Sequence, residues 1–205
     1  GKKVLVPAIT FSATAAAVLY CGLIPVFVDI NKNDLNMNVD DLKKKFTRDC
    51  VAIMPVHFGG HPCEMDKIMH FANQKKLVVI EDCAETCGGY YKGKMIGTWG
   101  HFGCYSFEEK KMMTTGDGGM IVTNNKSMAK KLKSLSFHGW DKDPLLRHKQ
   151  RFLNNPKKLK NNLHWYYEIK HLGYKYNMND LVASIGRVQL KKLSFLNNSR
   201  IKFLR

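Results

Sequence analysis

Leu77-Val-Val-Ile-Glu-Asp82 is an apolar run of strand length that closes on a carboxylate. Short runs of this kind, rich in β-branched side chains, read as strands buried on both faces of a sheet. Working outward from it, similar runs stand at 3–8, 25–29 and 51–56 upstream and at 103–107 and 119–123 downstream. Between them the spacing of apolar residues predicts helices over 13–22, 38–46, 64–75 and 126–136. Strand and helix in alternation build βαβ units, so the chain reads as α/β with a mostly parallel sheet. Asn38-Val-Asp-Asp41 has the composition of a capped helix start, and Pro25 and Asp29 punctuate a strand. From Gly139 to about Tyr167, lysine, asparagine and histidine displace the pattern, which predicts a long loop or an inserted segment. A last helix is expected from about Asn179 to the end, striped by Leu181, Ile185, Val188, Leu193 and Leu196.

The bulk properties narrow the class. A chain of 205 residues accommodates one α/β domain, or one domain with a piece of a second. No run of 18 apolar residues and no secretory signal pattern occurs, so no membrane partner is expected. Six scattered cysteines without a Cys-x-x-Cys pair read as reduced thiols of a cytoplasmic protein. The formal charge of +16 raises a nucleic-acid reading, but no aromatic-basic recognition module accompanies it. A generally basic surface is the expectation, with steeply salt-dependent DNA or RNA binding as the mark of the rival. Both termini read as cut from a longer protein.

Asp82 stands where the carboxyl edge of a parallel sheet gathers ligands. Downstream comes Ser106-Phe-Glu-Glu-Lys-Lys111-Met-Met-Thr-Thr-Gly-Asp-Gly-Gly119. An acid at a strand end and a lysine in a hydroxyl- and glycine-rich turn are what a pyridoxal phosphate site requires. The lysine joins the aldehyde carbon, the acid pairs with the pyridine nitrogen, and hydroxyls and backbone amides hold the phosphate. Each residue also has a plainer reading. Asp82 alone reads equally as a helix cap, Lys110 rivals Lys111, and Thr-Thr-Gly-Asp-Gly-Gly reads equally as a hairpin turn. Phe11, just after the first strand, suits either the face of a planar cofactor or the core. His57-Phe-Gly-Gly-His61-Pro-Cys63 lacks a second ligand pair at metal-site spacing; His57 is expected to line the cleft and contact substrate, and no metal is expected.

Taken together, the chain resembles the DegT/DnrJ/EryC1/StrS sugar aminotransferases, which are fold-type I pyridoxal phosphate enzymes. The resemblance runs through Pro7–Thr14, Gly22–Asp29, Pro55–Gly60, Pro62–Asp66, Val79–Glu85, Tyr91–Lys94 and Ser106–Gly119, then Phe137–Gly139, Gly173–Met178, Ala183–Gly186 and Gln189-Leu190. It implies a three-layer, aspartate-aminotransferase-like large domain with a mostly parallel mixed sheet flanked by helices. Residues 1–172 would form that cofactor domain, without its N-terminal part. Residues 173–205 would form an interface segment and the start of a helix leading to an absent small C-terminal domain. By the same resemblance Lys111 takes the position that binds the cofactor covalently, Asp82 the pyridine-nitrogen position, Phe11 the ring-stacking position and Ser106 a phosphate contact. Glu85 falls where many members carry glutamine near the cofactor's phenolic oxygen, and Glu108 and Glu109 where many carry His-Pro. Lys175-Tyr-Asn177 resembles the segment that reaches the neighbouring subunit's phosphate, which makes Asn177 or Lys175 a cofactor contact across a homodimer. The implied activity is transamination of a nucleotide-linked keto sugar, the 4-keto class being closest, with an amino acid such as glutamate as donor. The alternatives are a sugar dehydratase of the same family, against which Lys111 argues because such relatives carry histidine there, and a non-catalytic regulatory protein on the same scaffold.

Overall fold

A computed structural model describes residues 1–140, 167 and 169–203. The chain forms two compact units, one of Gly1–Asn124 with Asp180–Arg205 and one of Asn125–Asn179.

The first unit holds six strands in one sheet: β1 (Lys3–Pro7), β2 (Ile24–Val28), β3 (Cys50–Ile53), β4 (Val78–Asp82), β7 (Phe102–Ser106) and β8 (Gly119–Val122). Their order is β2-β1-β3-β4-β7-β8, parallel throughout except for β8, which runs antiparallel to β7. Helices α1 (Ser12–Tyr20), α2 (Val39–Lys45) and α3 (Met65–Lys75) make the crossovers.

Period-2 alternation along the strands decides what packs where. Val4, Val6 and Ala52 point to the face covered by Val18 of α1. Leu5, Val28, Ile53 and Val79 point to the other face, against Leu42 of α2 and Met65, Ile68, Phe71 and Ala72 of α3. Helices on both faces of a parallel sheet explain why its strands read as continuous apolar runs. Asn38 caps α2 by accepting from the Asp40 and Asp41 amides at 3.0 and 2.9 Å, as its sequence predicts.

The sheet reverses its winding between β1 and β3: the chain goes outward from β1 to β2, then back across to β3 and β4. A crevice outside the carboxyl ends of the strands opens at such a switch point.

Two local departures from the sequence reading have plain causes. The strand expected at 51–56 leaves the ladder after Ile53 because Pro55 has no N–H to donate; a single bridge between Val56 and Asp82 remains. A small hairpin of β5 (Tyr90–Tyr91) and β6 (Lys94–Met95) was not expected. Lys92 and Gly93 both have positive φ, the two-residue primed turn such hairpins favour, but two-residue strands carry no readable period.

After β8, α5 (Asp180–Phe203) returns to this unit. Asn197 Nδ2 donates to Cys87 O at 2.9 Å and Arg200 to Met112 O at 3.3 Å. In the second unit α4 (Lys126–Leu135) is capped by Asn125 and followed by bridges Phe137–Lys175 and Trp140–Ile169. Most of the segment from Gly139 to Tyr167, where a loop or insertion is expected, lies outside the described residues.

Candidate active site

The carboxyl rim of β1, β3, β4 and β7 gathers the chemistry of the first unit. Asp82 ends β4, half-buried, with its backbone N–H on Pro55 O at 2.8 Å. Its side chain is fixed at both oxygens: Ala84 N–H donates to Oδ1 at 3.1 Å and the Thr14 hydroxyl donates to Oδ2 at 3.0 Å. Each oxygen of an ionised carboxylate has two acceptor positions, so each keeps one for a ring N–H.

Asp82 pairs in register with Cys104 of β7, so Ser106 stands two residues further along the same rim, roughly 7 Å on. The chain then loops from Phe107 to Gly118 and returns as β8. Phe107 N–H donates to Gly118 O at 2.8 Å and Thr115 N–H to Phe107 O at 2.9 Å, which closes the loop's stem. Lys111 lies at its far side, half-buried, on a turn made by its N–H to Glu108 O at 3.0 Å. Its ammonium has no hydrogen bond or ion pair among the described residues. Next to it, Met112 reaches the loops after β3 and β4. A methyl group placed on Gly60 would sit 3.0 Å from Glu85 O and 3.7 Å from Met112 Cε. The tip of the Met112 side chain therefore lies beside Gly60, in the loop after β3. Phe11, at the start of α1, is 81% exposed at the mouth of the same rim.

Three expected roles look different in space. The hydroxyls of Thr114 and Thr115 donate to Phe107 O and Asp117 O, and the Gly116 and Gly118 amides donate to Thr114 Oγ1 and Asp117 Oδ1. Both threonine hydroxyls and the Gly116 and Gly118 amides are thus engaged within the turn, in keeping with the hairpin reading, and Ser106 remains as a hydroxyl for a phosphate. Ser106 Oγ already accepts the Glu108 amide at 3.3 Å, an acceptor position that leaves its proton to donate. Glu85 is exposed and its carboxylate takes the Gly59 N–H at 2.6 Å, tying together the loops after β3 and β4.

His57 does not line the cleft. It is fully buried, with Nδ1 accepting from Cys63 N–H at 3.1 Å and Nε2 facing Glu81 Oε2 at 3.3 Å. An imidazole with both nitrogens engaged in the core cannot meet a substrate. Its place just after a strand suggested the cleft, whereas its side chain turns into the core.

Glu81, whose position in the strand drew no functional reading, is also fully buried. Gly97 N–H donates to its Oε2 at 2.8 Å and Gly100 N–H to its Oε1 at 2.6 Å. Gly97 is needed there: φ is +88°, and a side chain would strike the Tyr105 hydroxyl. His57, Glu81 and Cys83 come within 4.8 Å of one another. Glu81 and His57 Nδ1 accept from backbone amides and the Cys83 thiol donates to Glu81 O, while burial beside Glu81 pushes that thiol well above its ordinary range. This is a hydrogen-bonded knot in the core. Asn177 belongs to the second unit, where its Oδ1 accepts from Lys175 Nζ at 2.5 Å.

The acid, the lysine, the aromatic and the serine suit the donor set that pyridoxal phosphate needs: a carboxylate with spare acceptor positions, an unengaged amine, an exposed ring and a hydroxyl. Comparison with known proteins bears on the same point. The sequence profile of the DegT/DnrJ/EryC1/StrS aminotransferase family matches residues 1–205.

The chain belongs to this family.

A GDP-perosamine synthase of Escherichia coli O157:H7 is 39% identical over 201 residues, covering 98% of this chain and 50% of that protein. An uncharacterized protein of Methanocaldococcus jannaschii, MJ1066, is 43% identical over 198 residues, covering 97% of this chain and 48% of that one. Among solved structures, the pyridoxamine phosphate form of a putative sugar aminotransferase from Streptococcus pneumoniae, Spr1654, superposes with a TM-score of 0.86 at 29% identity. The match covers 100% of this chain and 53% of that one. The chain thus spans about half the length of the curated relatives it matches. Its three-layer fold with a mostly parallel mixed sheet is that of the fold-type I aminotransferases, as the sequence resemblance implied. Among the described residues, no helix is long and apolar enough to cross a membrane.

Proposed function

We propose that this chain carries the cofactor domain of a pyridoxal phosphate-dependent aminotransferase that aminates a nucleotide-linked keto sugar, with glutamate as donor. The observation that supports it most is that Asp82 and Ser106 stand on one carboxyl rim, Asp82 with spare acceptor positions, and that the loop carrying Lys111 springs from that rim, its ammonium without a hydrogen bond or ion pair among the described residues. When bound, pyridoxal phosphate supplies a conjugated ring that takes up the electron pair left when a carbon loses its proton. Lys111 would hold the aldehyde carbon, Asp82 the pyridine nitrogen, Phe11 one ring face and Ser106 the phosphate. Lys111 Nζ moves the proton at Cα of the donor amino acid, and in the return half at the sugar carbon that gains nitrogen. Asp82 keeps the ring nitrogen protonated by presenting a fixed carboxylate, and Phe11 keeps water off one face.

The similarity to a GDP-perosamine synthase supports a sugar carried on a nucleotide; the 4-keto class is our reading of the sequence around Gly173–Met178 and His138–Asp143. We place the cofactor domain at residues 1–172 and an interface segment at 173–205. A second copy of the chain would complete the site, with Asn177 reaching the partner's phosphate. Exposed Leu181, Ile185, Val188 and Phe195 on α5 are consistent with such a contact. A cytoplasmic setting accords with six free thiols.

The test uses the intact protein. Borohydride reduction after adding pyridoxal phosphate is expected to fix the cofactor on the peptide containing Lys111, and Lys111→Ala to abolish it. A panel of nucleotide-linked keto sugars with glutamate is then read by product mass, one keto oxygen being replaced by an amine. Label on Lys110, or none at all, overturns the assignment.

A further inference from the structure

Asp82 is held by a residue 68 positions away in sequence, and nothing in the proposed chemistry has yet used it. Thr14 sits in the first turn of α1, 3% exposed, with its hydroxyl donating to Asp82 Oδ2 at 3.0 Å. Thr10 Oγ1 lies 2.7 Å from Thr14 Oγ1. A hydroxyl has one proton; with Thr14's given to the carboxylate, its oxygen accepts from Thr10. The order is therefore Thr10 to Thr14 to Asp82, two donors in series ending on an anion. In such a series each bond polarises and strengthens the next.

The geometry also departs from habit. A helical threonine ordinarily returns its hydroxyl to the carbonyl four residues back. Four residues back from Thr14 is Thr10, and the two meet through side chains instead. The Cβ–Cγ torsion of aspartate is a soft, broad one, so a carboxylate at the open end of a strand swings unless both oxygens are tied. Ala84 N–H ties Oδ1 from the chain's own turn; Thr14 is the tie on Oδ2, and it comes from a different layer of the fold.

We propose that Thr14, backed by Thr10, is a positioning residue that fixes the plane of the Asp82 carboxylate for the pyridine nitrogen. This rests on the reading of Asp82 given above. Valine at position 14 keeps the shape of threonine and removes the donor; serine keeps the donor.

The experiment measures the dissociation constant of pyridoxal 5′-phosphate from the intact protein by quenching of tryptophan fluorescence. It compares wild type, Thr14→Val, Thr14→Ser, Asp82→Asn and the double variant Thr14→Val/Asp82→Asn. A donor to a charged group lost from a partly buried site corresponds to about a tenfold weakening or more. Thr14→Val is expected to weaken binding about tenfold, Thr14→Ser to restore most of it, and Thr14→Val to add nothing once Asp82 is asparagine. If Asp82→Asn weakens binding while Thr14→Val binds as wild type, the positioning role is refuted and the reading of Asp82 stands. Equal weakening by valine in both backgrounds makes Thr14 a packing residue only, which also refutes it. If Asp82→Asn itself binds as wild type, the underlying reading falls, and this proposal with it. Thr10→Val carries the same test should Thr14→Val fail to fold, with a loss of roughly threefold expected from the outer member of the series.

Discussion

Replacing Glu81 by glutamine changes one atom type and almost no volume, yet it strikes a fully enclosed polar group of the first unit. The carboxylate is fully buried and receives Gly97 N–H on one oxygen, Gly100 N–H on the other, and His57 Nε2 on the first. An amide has a single acceptor oxygen. Whichever way it turns, its NH2 group faces a backbone N–H across 2.6 or 2.8 Å, a donor against a donor. The loss of one charge-assisted bond is worth about 1.5–3 kcal/mol, and a buried amide left without an acceptor adds about 1–3 kcal/mol. Neutralising the side chain relieves part of its own desolvation, so a net destabilisation of about 2–4 kcal/mol is expected. Urea unfolding of the intact protein is the assay, taking the transition of the first unit, with the midpoint lowered and the slope unchanged. Hydrogen exchange at Gly97 and Gly100 should accelerate beyond the global change, because those two amides lose their acceptor. A Glu81→Gln variant within about 0.5 kcal/mol of wild type, with both amides still protected, would refute the idea that the carboxylate clasps this turn.

Other expectations follow from burial and charge. Ile68→Ala removes a fully enclosed side chain between α3 and the sheet, and a loss of about 2–5 kcal/mol is expected by chemical denaturation; a cost under about 1 kcal/mol contradicts the packing described. Burial pushes the Cys63 thiol up to about 12 and Cys104 up to about 11, whereas Cys21 is exposed. Iodoacetamide at pH 8 should therefore label Cys21 in the native protein and reach Cys50, Cys63 and Cys83 only in urea, as read by peptide mass; early labelling of Cys63 argues against its burial. Asp66 is held down to about 2 from its ordinary 3.8, first by Lys92 and then by the Tyr91 hydroxyl. The stability it lends is complete above about pH 4 and is lost as pH falls through about 2. Asp66→Asn should flatten the acid limb of the unfolding curve in that window, and an unchanged limb counts against the ion pair.

Much of this architecture is legible in the residues because a parallel sheet covered on both sides requires long apolar strands, and these stand out. Asp82 is legible for the same reason: the apolar run stops on it. Contacts across the sheet are not. Thr14 reaches Asp82 because the first turn of α1 stands at the carboxyl rim of the sheet, a relation that spacing cannot express. His57 was expected in the cleft because it follows a strand, yet its neighbours in space are Glu81 and Cys63. Glu81 itself looked like one acid beside another, since its partners are backbone amides and backbone amides leave no trace in composition. The Thr-Gly turn satisfied both readings offered for it until its own hydrogen bonds were seen.

The reversed direction of β8 has a consequence for how this protein can change. Since β8 runs back beside β7, residues 107–118 leave the sheet and re-enter it at one edge, without crossing over a face. The segment is a cassette: its stem, stitched by Phe107, Thr115 and Gly118, and the buried Met113 keep the lysine's address, while exposed positions such as Glu109 and Lys110 are open to be rewritten. Evolution, or an engineer, can retune what sits around that amine without re-threading a single helix.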